Sequence, residues 1–111
     1  MSGKRSRTKG LSFEREIANA LKKLWPDAKR HLEVQACEAQ GYDLDHTEPF
    51  RIQCKRGARY APISKLTEPI IPKDSGLMPM LITKGDRTRP VTVMYLDDFL
   101  KWTEEMKNTR S

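Results

Sequence analysis

Phe50-Arg51-Ile52-Gln53-Cys54-Lys55 is the stretch whose reading decides the fold. Apolar and polar residues alternate along it with the period of two that a half-buried strand requires, so Phe50, Ile52 and Cys54 face one side and Arg51, Gln53 and Lys55 the other. Residues 47–49, Thr-Glu-Pro, make a tight connection before it. Residues 42–45, opened by the turn residue Gly41, read as the preceding strand, and residues 30–35 as the one before that. Folding the last two of these strands antiparallel about the 47–49 turn brings Asp43 beside Gln53 and Lys55.

Upstream, Phe13, Ile17, Ala20, Leu21 and Leu24 recur at three- and four-residue spacing, which predicts a helix over residues 12–24. Ser12 suits its N-cap, and Glu14 and Glu16 suit its first turn. At about 100° per residue the apolar side chains form one arc, with Glu14 at its edge beside Leu21 and Glu16 beyond the other edge. Pro26 stops the helix. Downstream, residues 62–68 read as a short helix, 77–83 and 91–95 as strands joined by the basic loop 84–90, and Asp97 opens a last helix with Phe99, Leu100, Trp102 and Met106 on its apolar side. This order predicts an α/β (α+β) fold, a central mixed β-sheet flanked by helices.

A chain of 111 residues holds one core, so residues 11–111 form a single domain. Residues 1–10 carry Lys4, Arg5, Arg7 and Lys9 among small polar residues and read as a flexible basic arm. Lys and Arg outnumber Asp and Glu by 21 to 15, for a formal net charge of +6, which favours a polyanionic partner. No apolar run approaches the ~18 residues of a membrane span, and the first residues lack the apolar stretch of a secretory signal, so no membrane association and a cytoplasmic location are expected. Cys37 and Cys54 are too few for a disulfide framework or a four-ligand zinc site and are expected to be reduced and structural.

Glu14, Asp43, Gln53 and Lys55 are the candidate catalytic residues. A hard cation such as Mg²⁺ takes oxygen ligands, which Asp43, the Gln53 carboxamide, the Cys54 backbone carbonyl and Glu14 offer; Mn²⁺ suits the same donors. An ammonium at Lys55 offsets charge on a phosphoryl transition state. Arg15, Arg56, Arg59 and Lys65 are candidate DNA contacts, Arg56 and Arg59 leading because they follow Lys55; Arg30 and Arg51 read equally well as solubilising charge. Asp45 reads as an exposed turn acid, Glu16 as a solvent-facing acid, and His31 and His46 form no metal pair by spacing. Trp25 and Trp102 are expected in the core or in a dimer interface, and Tyr60 is a packing residue at a loop.

Three motifs, Phe13-Glu14-Arg15-Glu16, Gly41-Tyr42-Asp43 and Ile52-Gln53-Cys54-Lys55-Arg56, resemble those of the PD-(D/E)XK nuclease superfamily, particularly archaeal-type Holliday junction resolvases and Mrr-like restriction nucleases. The likeness covers the first half of the chain. It departs at Gln53, where most members have an acid and Mrr-like members a glutamine, and at Tyr42, where many have proline. The resemblance implies a restriction-endonuclease-like core, a metal-dependent DNA endonuclease with altered metal coordination, a branched-DNA substrate, a two-fold homodimer and a phage or mobile-element origin. Two other functions fit the same residues: a non-catalytic DNA-binding protein that keeps the fold, and, ranked third, an RNA-processing nuclease.

Overall fold

The structure, a computed structural model, describes residues 2–31 and 41–110, with side chains over 10–31 and 41–109. Helix α1 spans Ser2–Leu21. It begins ten residues before the expected Ser12 cap, so the basic segment 2–10 extends the helix rather than forming an irregular arm. Its lysines and arginines are good helix formers, no proline interrupts them, and Gly10 costs only about 1 kcal/mol of helix stability. The helix also stops short of Pro26: the Leu24 and Trp25 amides both donate to the Leu21 carbonyl, at 2.9 and 2.8 Å, and close a turn. Leu24, expected on the apolar arc, lies past that end and is exposed.

Strand β1 (Lys29–Arg30) pairs antiparallel with β2 (Leu44–Asp45), with Lys29 opposite Asp45 and Arg30 opposite Leu44. The rest of the strand expected over 30–35, and Cys37, lie outside the described residues. Strand β3 (Phe50–Arg56) pairs in parallel with β4 (Met78–Lys84) from Phe50 opposite Met78 to Arg56 opposite Lys84. Strand β5 (Val91–Val93) adds antiparallel to β4, making a mixed three-stranded sheet in the order β3-β4-β5. A 3-10 helix, Ile63–Thr67, supplies the crossover from β3 to β4, and α2 (Leu96–Arg110) closes the chain. The architecture is therefore α+β. The three early strands do not form one ladder: the β1-β2 pair is a separate sheet, tied to β3 by the Asp43 amide donating to the Ile52 carbonyl at 2.8 Å and the Phe50 amide donating to the Thr47 carbonyl at 2.9 Å.

The alternation of β3 places its apolar face in the core. Phe50, Ile52 and Cys54 meet Met78, Met80 and Ile82 of β4, Leu44 of β2, and Phe13, Ile17 and Ala18 of α1. Each such large side chain contributes about 1.5–3 kcal/mol when fully buried. Both tryptophans pack on Phe50, Trp25 edge-on at 6.1 Å between ring centroids and Trp102 at 5.6 Å. This anchors α2 through Trp102, while Phe99, Leu100 and Met106 stay exposed. On β4, Leu81 and Thr83 alternate with the core residues and are fully buried, and the 3-10 helix packs against that strand.

Candidate active site

Asp43 is held from three sides. Its carbonyl accepts the His31 amide at 2.7 Å, its amide donates to Ile52 at 2.8 Å, and its carboxylate Oδ2 accepts the Cys54 amide at 2.7 Å. The expected convergence of Asp43 on β3 is thus achieved by single hydrogen bonds to the strand, not by a continuous hairpin ladder. A carboxylate receiving a backbone N–H is a strong, directional contact, worth about 1.5–3 kcal/mol.

Glu14 comes to the same place from the second half of α1, where it follows the buried Phe13 at the edge of the packed face. Its side chain is 17% exposed, and its Oε1 lies 3.7 Å from Arg30 Nε, an ion pair too long for a hydrogen bond. Burial raises the Glu14 pKa above the ordinary glutamate value, and the Asp43 charge raises it further, against the opposing pull of Arg30 and Lys55. Burial likewise pushes the Cys54 thiol up, with Asp43 and Glu14 adding to the shift. Cys54 therefore stays a neutral, packed thiol, as expected of a structural cysteine.

Lys55 emerges on the face opposite Cys54. Its Nζ lies 3.2 Å from Glu68 Oε2, while Lys65 Nζ lies 2.9 Å from Glu68 Oε1. The hydrogen bond from Lys65, then the contact with Lys55, holds the Glu68 carboxyl below the usual range despite some desolvation. Gly41 makes this arrangement possible. It has φ +72°, and a Cβ there would stand 2.2 Å from the Glu68 carbonyl oxygen, so the end of the 3-10 helix rests directly on the backbone leading to Asp43. Gln53, which shares the Lys55 face, is 6% exposed, and its Oε1 has no hydrogen-bond partner among the described residues. A buried acceptor left unpaired costs about 1–3 kcal/mol.

A second layer supports Asp43. The His31 ring stacks at 4.4 Å on Tyr42, the Arg51 guanidinium lies 4.5 Å over the Tyr42 ring, and His31 Nδ1 is 2.9 Å from Asp45 Oδ1. Asp45 is thus a partner of His31, not the exposed turn acid its sequence suggested. Arg56 also departs from expectation: it pairs with Asp86 at 3.0 Å, which occupies its charge. Arg15 and Arg59 are exposed, Lys65 is engaged by Glu68, and Glu16 is exposed as expected. Tyr60 donates its hydroxyl to the Arg89 carbonyl at 2.8 Å and so packs its loop.

Glu68 has no counterpart in the sequence expectations; His31 enters them only as half of a metal pair, and Arg30 only as a phosphate contact or solubilising charge. The only local signal for Glu68 is its spacing of three from Lys65, which many solvated helix ends share. Among the described residues no three of His, Cys, Asp and Glu are grouped as metal ligands. The acids that do converge are Glu14 and Asp43, at Cys54 of β3.

Fold and site together define an α+β protein with an acid and lysine cluster assembled around one strand. No family model, curated protein or solved structure matches the chain.

Proposed function

We propose that this chain is a metal-dependent DNA endonuclease of the PD-(D/E)XK type. The observation that carries the reading is that Asp43 and Lys55, from different segments, both act on the Glu14 charge of α1, with Asp43 fixed by the Cys54 amide. The donors fit a Mg²⁺ or Mn²⁺ ion: Asp43 and Glu14 supply charge, the Cys54 carbonyl is a further oxygen donor, and Gln53 has a buried carboxamide oxygen that lacks a partner. When bound, the ion supplies a Lewis acid for the phosphodiester and acidifies the attacking water.

The chain's own residues divide the remaining work. Asp43 is immobilised by three hydrogen bonds, so it binds without first losing conformational freedom. Glu14 holds its proton more tightly than an ordinary glutamate, which suits it to take a proton from the nucleophile. Lys55 places a positive charge where the phosphoryl oxygens gain negative charge. The favoured substrate is branched DNA, because a domain this small reads structure more readily than a long sequence, and symmetric cutting of two strands requires a two-fold homodimer.

A second reading, a non-catalytic DNA-binding protein with the same fold, draws support from one observation. The Lys55 charge is engaged by Glu68, and the neutral Gln53 stands where an acid would strengthen metal binding. The separating experiment incubates the protein with labelled four-way junction, linear duplex and single-stranded DNA in Mg²⁺, Mn²⁺ or EDTA, beside an Asp43→Asn variant. The nuclease reading expects metal-dependent cleavage that the variant loses, with junctions cut first. Binding that is indifferent to metal, with no cleavage under any condition, would establish the second reading.

A further inference from the structure

Along α1, Arg15, Ala18 and Lys22 fall at three- and four-residue spacing and form one stripe facing Ala28, Lys29 and Arg30. Between them lies a cleft of about 270 Å³. Its floor is made by Ala18 and Ala28, which are 4% and 1% exposed, and these small side chains leave the helix and the β1 segment apart at the surface. Among the described residues four cations line it and no acid does. Arg15, Lys22 and Lys29 are exposed, so their charges are free to face a partner. Arg30 is shared: its Nε stands 3.7 Å from Glu14 Oε1, is buried, and has no hydrogen-bond partner among the described residues.

We propose that this cleft is a phosphate-backbone site that seats a DNA strand beside the Glu14 and Asp43 cluster. The charge pattern suits a polyanion, since a concave surface carrying one sign of charge concentrates the opposite sign. The dimensions suit a strand. The seven steps from Arg15 to Lys22 span about 10 Å of helix axis, whereas phosphates on one strand of a duplex rise by about 3.4 Å each, so the stripe covers about three phosphate steps. Arg30 connects the two places, because the guanidinium that lines the cleft also faces Glu14. A phosphate held there fixes how far along the strand the acidic cluster lies. This inference rests on the nuclease reading for its role in positioning, but binding itself needs neither metal nor cleavage.

The test measures duplex DNA binding to the full chain in EDTA at several salt concentrations, for the wild type, a Lys22→Gln/Lys29→Gln variant, and a Lys101→Gln/Lys107→Gln control on α2. Each phosphate contact adds about 0.9 to the slope of log affinity against log salt, or about eight-fold in affinity near 0.1 M. The cleft variant should therefore lose on the order of 60-fold and nearly two units of slope, with thermal unfolding unchanged, and the control should lose much less. Equal losses in both variants, or wild-type affinity in the cleft variant, would overturn the site. Stronger capture by anionic phosphatidylserine vesicles than by DNA would overturn it also. If the cleft variant behaves as expected but no metal supports cleavage by the wild type, the nuclease reading fails and the binding site stands.

Discussion

Gly41 and Gly76 form a natural pair for separating two physical effects. Both have left-handed backbones, φ +72° and +76°, but a Cβ at Gly76 meets nothing within 4 Å, whereas at Gly41 it stands 2.2 Å from the Glu68 carbonyl oxygen. Alanine in the left-handed region costs about 1–2 kcal/mol, partly offset by the stiffer unfolded chain, so Gly76→Ala should lose about 1 kcal/mol. Gly41→Ala carries that loss and a further one. The shortest contact real Cβ atoms make is 3.0 Å, so the Glu68 backbone must retreat by at least 3.0 − 2.2 = 0.8 Å. Forcing packed backbone apart by such distances costs about 1–3 kcal/mol more. Urea unfolding of the two variants at unchanged m-value reads the difference directly, and in a domain of this size it corresponds to roughly 4–8 °C of melting temperature per kcal/mol. Equal losses in the two variants would refute the claim that the 3-10 helix is seated on Gly41, and with it the account of how Glu68 reaches Lys55.

Three further outcomes follow from the site. Asp43→Asn keeps an acceptor for the Cys54 amide and should change stability by less than about 0.5 kcal/mol, whereas Asp43→Ala leaves that amide unpaired and should lose about 1–3 kcal/mol by chemical unfolding. Glu14 has a raised folded pKa, so its stabilising contribution is full below the ordinary glutamate range and is lost as pH rises through the folded value; the stability of the wild type relative to Glu14→Gln should fall as pH rises out of the ordinary glutamate range and then level off, as unfolding titrations would record. Glu68→Gln breaks pairs whose side chains are about one-third exposed, so stability should shift by no more than about 1 kcal/mol while duplex affinity in EDTA rises, the added charge of Lys55 being released for phosphate.

The elements whose signal is local were legible in the sequence. The alternation from Phe50 to Lys55 located β3 and its core face, the 3.6-residue period located the buried part of α1, and the two tryptophans, expected in the core or in a dimer interface, both pack half-buried against the core. What was not legible depends on contacts between distant segments. Nothing in residues 42–55 says that β3 will prefer a parallel partner whose register runs from Phe50 opposite Met78 to Arg56 opposite Lys84, since the strand's own alternation is satisfied by either neighbour. The beginning of α1 was missed because hydrophobic periodicity reports the face that packs, and residues 2–10 offer no such face. The same reason hid Glu68 and the role of His31: each acts on a residue whose position is set by a different element, Lys55 on β3 for one and Asp45 on β2 for the other.

Gln53 brings these strands of reasoning together. Its side chain is almost fully withdrawn from water, on a strand where a leucine or valine would bury the same volume without leaving an acceptor unpaired. Packing alone therefore does not account for the amide. Stability favours removing it, and replacement by glutamate would add a third negative charge near Glu14 and Asp43, whose mutual repulsion already raises the Glu14 pKa. Under the proposed nuclease reading the carboxamide would offer an oxygen to a cation without adding a third charge, so Gln53→Leu should unfold no more easily than the wild type and lose metal-dependent cleavage. Unchanged cleavage in that variant would make Gln53 a packing residue and remove it from the ligand set.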